Sequence, residues 1–209
     1  MPTPAEIEAL FTRTDGTYLC ARWGRPIAPV VFGVDDATLT IIKDALSAVA
    51  TLAGHEMTDM DPELGSNLMV FFVRDWSELT ETPNLDRLIP ELAALVPRLE
   101  GADANQYRFF RFDAAGGIKA AFVFIRMDDA LSQVPAETLA LSQAVQTILL
   151  WSDGAFTQAS PLAVTANGTA LLKPEIVSVI RAVYTPVLPV TASDASHALR
   201  VAARVGAMQ

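Results

Sequence analysis

Cysteine and histidine are nearly absent from the sequence: of 209 residues, one is cysteine and two are histidine. The single thiol, Cys20, excludes an intrachain disulfide and a thiolate metal cluster, and it fits a reducing compartment. With so few histidines a Ser/His/Asp hydrolase has little to build on, and no Gly-x-Ser-x-Gly turn is present to expose a nucleophile. Basic residues are also short: 15 Lys and Arg against 24 Asp and Glu give a formal net charge of −9. That balance argues against DNA, RNA or an anionic membrane surface as a partner, because such binding rests on clustered Lys and Arg. No apolar run reaches the roughly 18 residues of a membrane span. The first ten residues carry Glu6 and Glu8 where a signal peptide needs a basic start and an apolar stretch. The expected location is the cytoplasm; a sequence beginning after a removed signal peptide, and so exported, reads the same.

What is present is enough for one core. The apolar fraction is 51%, and no repeat, low-complexity tract or linker divides the chain, so a single domain is expected. Residues 1–25 read as an N-terminal segment, 26–153 as sheet and core helices, and 154–209 as a small hairpin with two C-terminal helices. Residues 26–34 read as a strand that Pro29 assigns to an edge or a bulge. Asp35 or Asp36 caps a helix with Leu39, Ile42, Leu46, Val49 and Leu52 at helical period, and Gly54 ends it. Residues 67–73, apolar almost throughout, read as a central strand covered on both faces. Leu85, Leu88, Leu92, Leu95 and Leu99 are helically spaced, but Pro90 and Pro97 predict a kinked or split helix.

Residues 106–113 and 118–126 are aromatic-rich strands joined by a short Gly-rich turn, hence an antiparallel hairpin. Asn167-Gly168 predicts a second, smaller hairpin. Pro174 opens a helix to about Tyr184, and Ser193 caps a last helix ending near Gly206. Elements that both alternate and cluster predict an α+β fold around a mixed sheet.

The stretch 137–153 reads as the helix the rest is arranged around. Pro135 suits its first position, Glu137 its first turn and Gly154 its stop. Leu141, Ala144, Val145, Ile148 and Trp151 form an apolar face, expected to pack on the aromatic hairpin. Ser142, Gln143 and Gln146 form a polar stripe, in which Ser142 and Gln146 stand one turn apart and can converge on one ligand.

Here the chain resembles a bacterial family of unknown function whose members carry Glu-x-x-Gln-x-x-Gly-Leu-x-Asn-Asp, followed later by Tyr-Asp-Pro-x-Leu. Gln143 stands for the Glu, Gln146 for the Gln, Leu149 for Gly, Leu150 for Leu, Ser152 for Asn and Asp153 for Asp. Tyr184-Thr185-Pro186-Val187-Leu188 matches the later segment with Thr for Asp. The likeness covers the second half by motif and the first half only by element order. That family in turn looks like a degenerate zincin, the zinc-protease architecture whose His-Glu-x-x-His helix follows a mixed sheet with an edge strand. In that register Ser142 replaces the first His, Gln143 the Glu and Gln146 the second His. An amide has no basic lone pair at neutral pH, and neutral hydroxyl or amide oxygens bind Zn²⁺ weakly, so the resemblance implies no metal, no cofactor and no catalytic residue.

The expected function is non-catalytic: binding of a protein or small ligand in a remnant cleft marked by Ser142, Gln143, Gln146 and Asp153, or a purely structural role. The alternative is a metal-independent enzyme, a hydrolase for example, that uses Asp153 or His55 in a site without a sequence signature. His55-Glu56 with Asp59 and Asp61 reads as a polar loop rather than a ligand cluster. His197 with Arg200 and Arg204 reads as the solvated basic side of the last helix, and Gly116-Gly117 as a turn rather than a phosphate loop. Tyr107, Phe109, Phe110, Phe112, Phe122 and Phe124, with Arg108 and Arg111, could serve as a stacking platform for single-stranded nucleic acid, but sheet core is the expectation.

Overall fold

In the computed structural model, which describes residues 1–208, the chain opens with a helix that the sequence expectation omits. This is α1 (Pro4–Phe11), started by a capping box in which Thr3 and Glu6 bond each other's backbone N–H. Then follow β1 (Cys20–Ala21), β2 (Pro29–Phe32), α2 (Asp36–Ala53) and β3 (Leu68–Val73). Three short helices come next: α3 (Ser77–Glu81), α4 (Leu85–Leu88) and α5 (Leu92–Gly101). The hairpin β4 (Gln106–Phe112) and β5 (Ile118–Arg126) leads to α6 (Ala136–Ile148). The chain closes with β6 (Leu162–Val164), β7 (Ala170–Leu172), α7 (Pro174–Val183), β8 (Thr191–Ala192) and α8 (Ser196–Ala207).

The main sheet has the order β2-β3-β5-β4, with β2, β3 and β5 parallel and β4 antiparallel at one edge. The fold is therefore α+β around a mixed sheet. Alternation along the strands feeds two cores. Leu68 and Val70 of β3, with Ala121, Val123 and Ile125 of β5, face the larger core, shared with α1, α2, α6, α7 and α8. Phe71 and Val73, with Ala120, Phe122 and Phe124, face the smaller core under α3, α4 and α5. Residues 67–73 thus hold the covered, central place expected of them. Pro29 opens the other edge strand, β2. Asp35 caps α2 through the N–H of Thr38, and Gly54 ends it in the left-handed region. Gly33 is required where β2 meets its neighbour: its φ is +82°, and a Cβ there would stand 2.0 Å from the Phe72 carbonyl oxygen.

The leucine series splits into α4 and α5 around Pro90, as expected, while Pro97 is accommodated inside α5. The aromatic set is sheet core in large part. Phe122 and Phe124 are buried, and Phe109 stacks on Phe122 at 4.7 Å between ring centroids. Phe110 faces the other core, and Phe112 is exposed. Asp113 folds the hairpin turn by accepting from the N–H groups of Ala115 and Gly117, with Gly116 at φ +80°.

Three expectations are corrected. First, α6 ends at Ile148, and neither Trp151 nor Gly154 belongs to it; Pro135 is its cap rather than its first residue. From Leu149 the backbone is extended, bridging to Arg22, and the N–H of Leu150 donates to Ala21. The last carbonyls of a helix need outside donors. Here the Trp151 indole serves Val145, the Trp23 indole serves Thr147 and the Tyr184 hydroxyl serves Ile148, at 2.8 to 2.9 Å. Trp151 continues the helical period but stacks on Phe11 from an extended segment, so period alone overran the helix end. Second, α8 starts at Ser196, and Asp194 rather than Ser193 accepts its first N–H. Third, His197 is buried, 1% exposed, with its Nδ1 2.8 Å from the Tyr18 hydroxyl. The face of α8 that carries it packs on α1, within what the sequence reads as an N-terminal segment. No helix of the described residues is long and apolar enough to cross a membrane.

Candidate functional site

A cleft of about 950 Å³ lies along β4, over α6 and inside the segment 150–161. Alternation along β4 directs Gln106, Arg108 and Phe110 to the α6 side, and Tyr107 and Phe109 to the smaller core. The same alternation fixes the backbone. The N–H of Arg126 donates to the Asn105 carbonyl at 2.8 Å, which in the register of the hairpin sets the hydrogen-bonded phase, and along an antiparallel ladder hydrogen-bonded pairs recur at every second residue. Tyr107, Phe109 and Arg111 therefore spend their backbone groups on β5. Gln106, Arg108 and Phe110 turn theirs to the free edge, where no strand of the described residues follows.

The floor of the cleft is a short polar chain. The Arg108 guanidinium donates to the side-chain oxygens of Gln146 and, at 3.3 Å, Gln143. Gln143 then donates to Gln106 at 2.7 Å, and Gln146 to the Ser142 hydroxyl at 2.9 Å. Both amides thus turn their oxygens towards a cation. Burial pushes the Arg108 pKa down to about 10, which leaves it charged at neutral pH. Its Nε is buried without a partner, and among the described residues Arg108 joins no ion pair.

Of the expected site residues, Ser142 and Gln146 line the cleft, whereas Gln143 lies beneath it, 5% exposed, on the face of α6 that packs against the sheet. Asp153 also lines the cleft, on the wall formed by the segment 150–161. Its carboxylate accepts from the Thr14 hydroxyl at 2.6 Å and the Thr14 N–H at 2.9 Å, and these bonds hold its pKa below the usual range. It ties the cleft wall to the turn after α1. Arg108, the residue on which the floor is organised, was grouped in the sequence with the aromatic residues of its strand. The signal that marks it is parity: in β4 two successive helix-facing positions, Gln106 and Arg108, are polar before the apolar Phe110.

The segment 55–61 is not brought to the cleft. His55 Nε2 donates to the Arg25 carbonyl at 2.9 Å, its ring lies by Tyr184, and burial lowers its pKa. Asp61 accepts from the N–H groups of Glu63 and Leu64, from Asn67 and from Arg25. Among the described residues no group of three or more His, Cys, Asp or Glu side chains is placed to hold a metal ion. At the positions that the zincin resemblance would assign to the second metal ligand and to the general base, Gln146 and Gln143 already turn their amide oxygens to a guanidinium. A metal cation fits poorly against that charge.

The structure thus defines an α+β domain with a cleft along an open sheet edge. No protein-family model matches the chain, and no significant match to a curated protein or a solved structure was found.

Proposed function

We propose that this protein binds an extended peptide segment, without catalysis, as an added strand on β4 in the cleft over α6. The observation that carries this is the free edge: Gln106, Arg108 and Phe110 offer backbone donors and acceptors to the same space that their side chains line. Strand addition to such an edge gives affinity through main-chain bonds and selectivity through pockets for alternate side chains. A bare edge is otherwise a liability, which proteins blunt with charge, bulges or cover. The opposite wall supports the same reading, since Phe156 holds a left-handed backbone, φ +65°, to set its ring edge-on against Trp151 at 5.0 Å. Such strain persists where the surroundings impose it, often at binding sites.

On this reading the domain is a zincin-like scaffold of bacterial type without a metal centre, an affiliation supported by the antiparallel edge strand beside a helix bearing the polar stripe. The buried thiol of Cys20 favours a cytoplasmic setting. For hydrolysis the floor offers an alcohol, two amides and a guanidinium, and Asp153 is engaged elsewhere.

The test is selection from a random peptide display library, followed by amide hydrogen exchange with a selected peptide. Exchange should slow at Gln106, Arg108 and Phe110. Phe110→Pro, which removes an edge donor, should weaken binding beyond the effect of Phe110→Ala. Selected peptides that leave those amides unprotected would refute the added strand.

A further inference from the structure

We infer that the cleft takes a carboxylate on the Arg108 guanidinium, so that its ligand is an acidic peptide; this deepens the strand-addition reading and rests on it. A cation sunk into a fold for stability is normally matched by a carboxylate, because an unpaired buried charge is expensive. Arg25, Lys119 and Arg126 each stand on an acidic partner, whereas the partly buried Arg22, Arg108 and Arg204 join no ion pair among the described residues. Of these three, Arg108 is the one that lines the cleft. It is partly buried, its Nε is closed off without a partner, and what holds it is a pair of neutral amide oxygens.

Those amides fix the plane of the guanidinium without neutralising it, and most of its N–H groups remain unspent. A planar fork presented in this way matches a carboxylate. The surroundings agree. The charged side chains lining the cleft are Arg108, Arg13 and Asp153, and Asp153 is taken up by Thr14. Arg13 is exposed at the rim and joins no ion pair among the described residues. A cleft of positive sign in a chain of net charge −9 is a local arrangement opposed to the whole. The Ser142 hydroxyl oxygen accepts from Gln146, its own hydrogen has no acceptor among the described residues, and so it offers the cleft a further donor.

The experiment uses the full chain and two synthetic octapeptide pools, acetylated and amidated at their ends. One pool carries Asp and Glu at the varied positions, the other Asn and Gln. Binding is read by fluorescence polarisation at physiological ionic strength, where a Debye length of about 8 Å screens the overall negative charge. The acidic pool should bind about ten-fold more tightly or better, as expected for a charge-assisted pair, and Arg108→Gln should remove the difference. Gln146→Glu serves as an independent variant: it places a carboxylate against Arg108 from within, and should abolish the preference while the protein melts at or above the parent's temperature. Equal binding of both pools to the parent would overturn the carboxylate and leave the strand-addition reading standing. If neither pool binds, succinate decides. A melting temperature that rises with succinate in the parent but not in Arg108→Gln keeps the anion site and refutes the peptide; no rise refutes both.

Discussion

Two polar clusters in this protein bury charge, and they do so in opposite ways. Around Asp61, 3% exposed, every demand is met: two backbone N–H groups, the Asn67 amide and Arg25 supply donors to one carboxylate. Asn67 in turn receives the N–H of Ala28 and donates to the Pro26 carbonyl, both at 2.8 Å, so the cluster fastens the start of β3 to the approach of β2. Around Arg108 the partners are neutral and few. The first cluster is closed and far from the cleft; the second opens into it. A charge that the chain completes for itself serves the fold, and one left incomplete at a cleft is available to a ligand.

The largest effect should come from the closed cluster. Asn67→Ala leaves the Ala28 N–H and the Pro26 carbonyl without a partner and removes one of the two donors to Asp61 Oδ2, where Arg25 remains. It should cost roughly 2 kcal/mol or more, at about 1 kcal/mol or above for each buried group left unsatisfied. For a chain of this size that is a fall in Tm of roughly 4–8 °C, measured by calorimetry. A loss as small as that of a surface substitution would mean that the cluster is not the clamp the geometry describes.

The same cluster should set part of the acid response. Burial pushes the Asp61 carboxyl up, but the N–H groups of Leu64 and Glu63, the Asn67 amide and Arg25 together hold it below its usual value. A carboxyl depressed in the folded state stabilises the protein above its unfolded pKa, about 4, and that contribution disappears as pH falls through the folded value. Asp61→Asn should therefore flatten the dependence of Tm on pH below about 4, while lowering Tm near neutrality. An unchanged acid limb would show that other carboxyls carry it.

Much of this architecture is legible in the sequence where local pattern and tertiary outcome agree. Asp35, the leucine and isoleucine period and Gly54 define α2 because cap, face and stop act within one element. The apolar run of β3 and the Gly116-Gly117 turn are equally local. Other features depend on distant partners and have no local signature. The end of α6 is set by Trp23 and Tyr184, and the burial of His197 by Tyr18 on a different element. The two-residue strands β1 and β8 exist only as each other's partners. By contrast α1 was readable, since Thr3-Pro4 followed by Glu6 is a capping signature that shortness and the flanking loop obscured. In the cleft, the stripe Ser142, Gln143 and Gln146 was visible on the helix, but its meaning lay with Arg108 on another element.

Smaller effects should separate the two amides on either side of that guanidinium. Gln143 is buried and bonded to both Gln106 and Arg108, so Gln143→Ala should lower stability by ~1–3 kcal/mol. Gln146 lines the cleft, and Gln146→Ala should cost less, under about 1 kcal/mol, and weaken ligand binding instead. Equal losses in thermal melts would place both amides in the same structural role.

The most direct measurement is the Tm of Arg108→Gln beside those of the parent and Asn67→Ala. If the charge is kept for a ligand, removing it while retaining an amide donor for Gln143 and Gln146 relieves an unpaired cation. The variant should then melt within about 2 °C of the parent, or above it. A fall as large as that of Asn67→Ala would contradict the account, because it would show that Arg108 holds the fold together rather than waiting in the cleft.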